Sequence, residues 1–410
     1  MLNNRVVITG MGAITPVGIG VHSYWENLIK GHSGIAPITR FDAGEAPVKI
    51  AGEVKNFTPA DFMTKKLAGQ TDIFAQFALV AAAEAIKNSK LNVAPERIGI
   101  VLGTALSGIS TSTDAQDQLT NTGGYRVSPR VVPNILGNIA AAHIGIVNDL
   151  RGPSLTVTTA CSSGADAIGI ASMMLKMGQA DAVVAVGAEA PICRLMIGSL
   201  AASRALTQNN EEPEKASRPF DFKRDGFVMG EGGGALVLET LDSAQKRDAD
   251  ILAELLGYGN SSDAYHITAP HPKGRGEITC MEKALAQAGL SPSQVEHINA
   301  HGTSTSKGDR VETQSLKTIF GQDAKNIPVS ATKSATGHMM GAGGVTELIA
   351  CIQVIREGML PPTLNYEVPD PHCDLDYVPN QARRANISIA MSNCFGFGGQ
   401  NASLIVGKYK

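Results

Sequence analysis

The stretch TVTTACSSGADAIG, residues 156–169, sets a thiol between a β-branched run and an apolar run that opens on Ser-Ser-Gly. Thr156 to Thr159 favour a strand and Ala165 to Lys176 a helix, so Cys161 falls at a strand-to-helix junction. Unpaired backbone N–H groups and the positive end of the helix dipole point outward at such a junction. That setting can draw a cysteine below its free pKa of ~8.5 and make it nucleophilic near neutral pH. A free cysteine is equally at home as a small buried hydrophobe, and the stretch alone leaves both readings open. Cys280 and Cys351 fall inside helical patterns and read as packing residues.

A nucleophile needs proton carriers and charge acceptors. Of nine histidines, two follow strand-like segments. Val295–Ala300 runs into His301-Gly302-Thr303-Ser304-Thr305, and Ile327–Ser330 runs into Lys333-Ser334-Ala335-Thr336-Gly337-His338. Ligands of open α/β sheets bind beyond the carboxyl ends of strands, so Cys161, His301, His338 and Lys333 are expected to share one crevice. His266 follows no comparable strand. Other chemistries lack their signatures: the chain has no H-E-x-x-H, no P-loop and no EF-hand spacing. In ITGMGAITPVG the glycines at 10, 12 and 18 miss the G-x-G-x-x-G spacing, which argues against nicotinamide binding.

The elements that must position these groups follow from pattern. With 410 residues, 43% hydrophobic, 18% charged and 44 glycines, the chain reads as a compact α/β protein of two to three domains or one two-lobed body. A net charge of −3 gives no bulk attraction to nucleic acid or to anionic membranes. The first residues form neither a signal-peptide apolar region nor a membrane span, so the expected location is the cytoplasm. Six cysteines without C-x-x-C spacing argue for reduced thiols and against a disulfide framework or zinc site.

Strands are expected at Arg5–Thr9, Ile98–Gly103, Leu155–Thr159 and Ala182–Gly187, alternating with helices such as Phe74–Ile86 and Ala165–Lys176, in a mostly parallel sheet. A hairpin is expected over Phe227–Thr240. The second part repeats this plan. Strands fall at Ile251–Tyr258, Val295–Ala300, Ile327–Ser330 and Ile387–Ser392, helices at Ile278–Ala288, Arg310–Phe320 and Gly344–Arg356, and a closing hairpin follows. The chain is therefore expected to be a duplicated α/β fold, with halves 1–250, carrying the cysteine, and 251–410, carrying the histidines.

Seven motifs in order carry a family resemblance: RVVITGMGAITPVG, TACSSG, ASRPFDFKRDGFVMGEG, DAYHITAP, NAHGTSTSKGD, TKSATGHMMGAGG and SNCFGFGGQN. They span nearly the whole chain. Together they resemble the elongating β-ketoacyl-[acyl carrier protein] synthases of type II fatty-acid synthesis, in the thiolase superfamily. The resemblance implies the thiolase-like fold, two duplicated α/β halves in a layered αβαβα body, and a Cys-His-His centre. Within the superfamily, thiolases pair the nucleophile with a histidine and a second cysteine, and initiating synthases use histidine and asparagine.

The implied activity is acyl transfer from a carrier to Cys161 and decarboxylative condensation with malonyl-carrier, without metal or redox cofactor. Cys161 and Phe397 would supply oxyanion-hole N–H groups, and His301 and His338 would donate to the enolate oxygen. Lys333 would hold the network, with Glu347, Asp309 and Glu312 behind it. Phe397 would gate entry, Thr303 and Thr305 would hold the pantetheine arm, and Leu106 would limit acyl length. Phe395 reads as packing. The implied partners are an acyl carrier protein and a second copy of the chain, with neither nucleic acid nor membrane.

The docking face departs from the family pattern. KKLAGQTDIFAQF retains Lys65 and Lys66 but has Gly69, Gln70 and Ile73 where basic residues are usual, so Arg126, Arg130 and Arg204 are the candidate replacements. Gln400 stands where threonine or histidine is common, Ser306-Lys307 replaces a proline-containing turn, and TACSSG carries the serines more often met in polyketide ketosynthases. A discrete type II polyketide or polyene ketosynthase is therefore the alternative. A non-catalytic chain-length factor would normally lack the nucleophile.

Overall fold

The structure is a computed structural model that describes residues 5–410. The first half contributes strands β1 (Val6–Thr15), β2 (Ile98–Gly103), β3 (Ser154–Val157), β4 (Ala182–Glu189) and β5 (Gly232–Thr240). The second contributes β6 (Ala253–Ser262), β7 (His297–Asn299), β8 (Val329–Ser330), β9 (Ile389–Gly396) and β10 (Gln400–Gly407). They lie on one path in the order β8-β7-β9-β10-β6-β1-β5-β4-β2-β3. Counted outward from the β1–β6 seam, each half runs first, fifth, fourth, second, third. The chain has folded the same topology twice.

The sheet is mixed. The outer three strands of each half are parallel to one another, whereas the four central strands and their joins to β4 and β9 are antiparallel. This corrects the mostly parallel expectation, because the fifth strand of each half returns antiparallel beside the first. The Phe227–Thr240 hairpin is also absent. Gly232–Thr240 pairs with β4 and β1, while Met229 bridges to His338 across the interior. The closing hairpin does form, as β9 and β10.

Four helices build the layers: α1 (Ile73–Ser89), α2 (Ser163–Lys176), α3 (Arg275–Ala288) and α4 (Gly343–Glu357). Helices α1 and α3 cover the outer faces, and α2 and α4 pack on each other and on strands of both halves, forming the middle of an αβαβα body. Every residue of α4 from Gly343 to Ile355 is buried, as expected for a helix that is apolar all round. Among the described residues no helix is long and apolar enough to cross a membrane.

Glycines set the outer layer spacing. In β1, a Cβ on Gly10 or Gly12 would lie 2.2 Å from the Ala85 carbonyl oxygen or 2.0 Å from that of Ala81, both in α1. In β6, a Cβ on Gly257 or Gly259 would lie 2.2 or 2.1 Å from the Ala284 or Cys280 carbonyl oxygen in α3. The ITGMG glycines thus lie inside a strand and admit a helix backbone. Between each pair, Met11 and Tyr258 point into the central core.

Because the obstructing atoms are backbone, Gly257→Ala should destabilise the protein by about 3 kcal/mol, the upper part of the overpacking range. Urea unfolding would read this loss, and a variant within about 0.5 kcal/mol of the parent would contradict the close-approach role.

Candidate active site

The junction read from sequence is a single 3-10 turn, Ala160–Ser162, between β3 and α2. Ala160 has a left-handed φ of 52°, a costly conformation for a residue with a Cβ. Around it, Asp166 accepts hydrogen bonds from Thr159 Oγ1 (2.5 Å) and Ser162 Oγ (2.9 Å), on both sides of Cys161, and from Tyr258 OH (2.6 Å) in the other half. The Tyr258 ring lies where a side chain at Gly169 would stand, 2.3 Å from a hypothetical Cβ. The Cys161 turn is therefore fastened to the second half of the chain.

The Cys161 thiol is buried, with the Phe397 N–H and its own N–H directed at it. Gly396 brings the two segments together, since a Cβ there would be 3.2 Å from the Cys161 nitrogen. Burial pushes the thiol up to about 11, against the lowering effects of these N–H groups and of the Lys333 ammonium. The lowering that a strand-to-helix junction can give is outweighed here by withdrawal from water.

His301 follows β7 and His338 follows β8, and their rings meet edge-to-face with centroids 5.3 Å apart. Burial holds both imidazoles well below their usual pKa, and Lys333 lowers both further, so both are neutral at pH 7. The Met340 N–H donates to His338 Nδ1 at 3.3 Å, which assigns the ring proton to Nε2. His301 Nδ1 is buried without a partner. Glu312 accepts the His301 and Gly302 N–H groups at 2.7 and 2.8 Å and so fixes the first loop. Burial pushes its carboxyl up to about 7.

Lys333 pairs with Glu347 through Nζ and Oε1, both side chains being almost wholly buried. Burial opposes the ammonium, yet the Glu347 carboxylate outweighs it and holds Lys333 above its ordinary pKa. Glu347 Oε2 also receives the Cys394 thiol at 3.6 Å. Asp309 acts at one remove: it accepts the Phe220 N–H at 2.8 Å and pairs with Arg224, whose Nε donates to the Thr305 carbonyl at 3.1 Å. Thr303 and Thr305 hydroxyls lie 3.1 Å apart.

Phe397 is 38% exposed, followed by Gly398 and Gly399 at φ 82° and 70°. Phe395 packs on His301, centroids 5.6 Å apart. Leu106 is half-buried against a cluster that includes Phe227 and Met340. Lys65, Lys66, Arg126, Arg130 and Arg204 are exposed, and Arg130 donates to the Gly69 carbonyl at 2.6 Å, which ties it to the short helix Lys65–Ala68.

Sequence reading missed Asp166 and Glu189. Both were legible only as lone acidic residues inside or ending an apolar run, ADAIG and AVVAVGAE.

Lys333→Met would leave the Glu347 charge buried and unpaired, a loss of about 3–5 kcal/mol by denaturant unfolding. The double variant Lys333→Met/Glu347→Leu should recover most of it. Equal stability of single and double variants would contradict a charged pair.

The family model for the beta-ketoacyl synthase N-terminal domain matches residues 3–244, and that for the C-terminal domain matches residues 252–367. A protein of Coxiella burnetii named 3-oxoacyl-[acyl-carrier-protein] synthase 2 is 45% identical over 412 residues, covering 100% of this chain and 99% of the relative. Among solved structures, the ishigamide ketosynthase/chain length factor is 35% identical with a TM-score of 0.92, covering 99% of both chains. A type II polyketide ketosynthase bound to its acyl-carrier protein, AntDE:AntF, is 32% identical with a TM-score of 0.90 and the same coverage. With both domain models matched and these relatives aligned end to end, the chain belongs to the beta-ketoacyl synthase family.

Proposed function

We propose that this chain is the elongating condensing enzyme of fatty-acid synthesis, a 3-oxoacyl-[acyl-carrier-protein] synthase. The observation that carries the reading is the make-up of the site: a buried thiol at a strand-to-helix turn, two buried imidazoles in edge-to-face contact and one buried ammonium paired with Glu347.

Each step balances with these groups. Cys161 attacks an acyl thioester on the carrier, the new acyl–sulfur bond forms, and the carrier thiol leaves with the proton that Cys161 gives up. The Cys161 and Phe397 N–H groups face the thioester oxygen as charge develops there; one such donor is worth roughly 2.7–4 kcal/mol in other acyl-transfer enzymes. Malonyl-carrier then loses carbon dioxide, and His338 Nε2–H, with His301, donates to the enolate oxygen. A neutral donor suits this role, because it stabilises the anion without protonating it. The enolate carbon attacks the acyl-cysteine and releases a β-ketoacyl-carrier two carbons longer. Cys161 leaves as thiolate and takes up a proton from water, as its raised pKa favours. The reaction needs neither a metal nor a redox cofactor.

The carrier protein is read as docking on the exposed cations Lys65, Lys66, Arg126, Arg130 and Arg204, with Thr303 and Thr305 meeting the pantetheine arm and Phe397 yielding at the mouth. All six cysteines are free, which supports a reducing compartment and hence the cytoplasm. The partner of β3 is read as a second copy of this chain. Among the described residues strand β3 pairs only with β2, its Leu155 is 49% exposed, and Ile146, Val147, Met173 and Met177 are exposed in or just after the flanking helices. An open sheet edge with an apolar flank is a surface that a stable protein covers. Sedimentation should therefore give a dimer that Leu155→Lys weakens, and a monomeric parent would refute it.

A second reading, a discrete polyketide or polyene ketosynthase, is favoured by TACSSG and by the ishigamide and AntDE:AntF neighbours. Intact-mass measurement of acyl loading from fatty-acid and polyketide carriers, followed by malonyl-carrier, separates the two. On the leading reading, Cys161→Ala abolishes loading, whereas Cys394→Ala leaves condensation largely intact. Equal loss in both variants would contradict the assignment of the nucleophile.

A further inference from the structure

Glu189 ends β4 and is fully buried. Four donors converge on its carboxylate. Oε1 accepts from Thr104 Oγ1 and Leu106 N–H, each at 3.0 Å, and Oε2 accepts from Ala105 N–H at 2.6 Å and Gly341 N–H at 3.2 Å. No salt bridge involves it among the described residues. Burial pushes its carboxyl up to about 7 even against these four donors, each of which lowers it. None of the four can accept a proton from a protonated carboxyl except the Thr104 hydroxyl, so the donor set matches the ionised form.

The two sides of this clamp differ in kind. Thr104–Leu106 is the loop after β2 that carries the residue read as the acyl-length limit. Gly341 belongs to the 3-10 turn Met340–Ala342, whose Met340 N–H orients His338. The approach is too close for any side chain at 341: a Cβ there would be 2.7 Å from Glu189 Oε2 and 2.9 Å from the Thr104 Cα. The carboxylate also acts on the nucleophile. Of the charged groups felt by the Cys161 thiol, Lys333 favours the thiolate and Glu189 opposes it, while His301 and His338 are neutral.

We propose that Glu189 is a positioning residue for acyl transfer: it locks the loop bearing Leu106 to the turn that orients His338. The inference rests on the condensing-enzyme reading above and adds to it a fixed distance between pocket floor and reacting atoms. A glutamine at 189 would turn an NH2 group against backbone N–H donors and release one side of the clamp.

The experiment compares the parent, Glu189→Gln and Thr104→Val by intact-mass acyl loading from carriers of graded chain length. Alkylation of Cys161 by iodoacetamide is followed in parallel between about pH 7 and 10. Glu189→Gln should lower kcat for loading about tenfold or more, leave KM for the carrier within about twofold, and broaden the chain-length preference. Its alkylation profile should move to lower pH, because the opposing charge is gone. Thr104→Val, which removes one donor and no charge, should broaden the length preference and leave the alkylation profile unmoved. A folded Glu189→Gln with parental loading, length preference and alkylation profile would overturn the proposal. If that variant does not fold, a parental length preference in Thr104→Val overturns it. A parent that accepts no acyl group refutes the condensing-enzyme reading, and the alkylation profiles then decide the role of Glu189 by themselves.

Discussion

A single buried ion pair acts on the charge state of every ionisable group at the centre of the site. Lys333 and Glu347 hold each other ionised in a region with no access to water, where either alone would be too costly to keep. The ammonium then acts on Cys161, His301 and His338 at once. It favours loss of the thiol proton and disfavours imidazolium. Remove it and burial still holds the histidines neutral, while the thiol keeps only the Phe397 and Cys161 N–H groups to favour its ionisation. Cys161, His301 and His338 come from the ends of β3, β7 and β8, yet one ammonium acts on all three.

That dependence explains which parts of the site were legible in the sequence. Cys161, His301, His338 and Lys333 follow strand-like runs in glycine-bearing loops, and a period-2 or β-branched pattern survives in a single sequence. The thiol's protonation was not legible, because helix-terminus stabilisation is local whereas desolvation is imposed by α4, β9 and the 3-10 turns folded over it. Asp166 and Glu189 were missed for the same reason. Each is one acidic letter in an apolar run, and only the fold supplies the three or four donors that make it tolerable there.

The fold was legible element by element, and less so in its pairing. Ile98–Gly103 and the cores of α1 to α4 appear where periodicity puts them, within a few residues. Strand direction did not for β5, whose antiparallel return follows a long connection from β4 with no pattern of its own, whereas the return of β10 is the closing hairpin. The Gly-rich segment at 230–234 looked like a hairpin turn because glycine marks turns. Here it instead lets strand β5 lie against α1 and α4: a Cβ on Gly233 or Gly234 would lie 3.0 Å from the Phe77 carbonyl oxygen or the Val345 and Thr346 side chains.

The duplicated topology places Ala160 and Met340 at equivalent corners. Both have left-handed φ, 52° and 45°, and each opens a 3-10 turn ahead of a central helix. Cys161 and Gly341 are then counterparts, one a buried thiol and the other a bare strut against which Glu189 closes. Neither lobe could work as a separate piece. The first holds the sulfur without its imidazoles, the second the imidazoles without their sulfur, and parting them would expose a helix whose every face from Gly343 to Ile355 is shielded by the rest of the molecule.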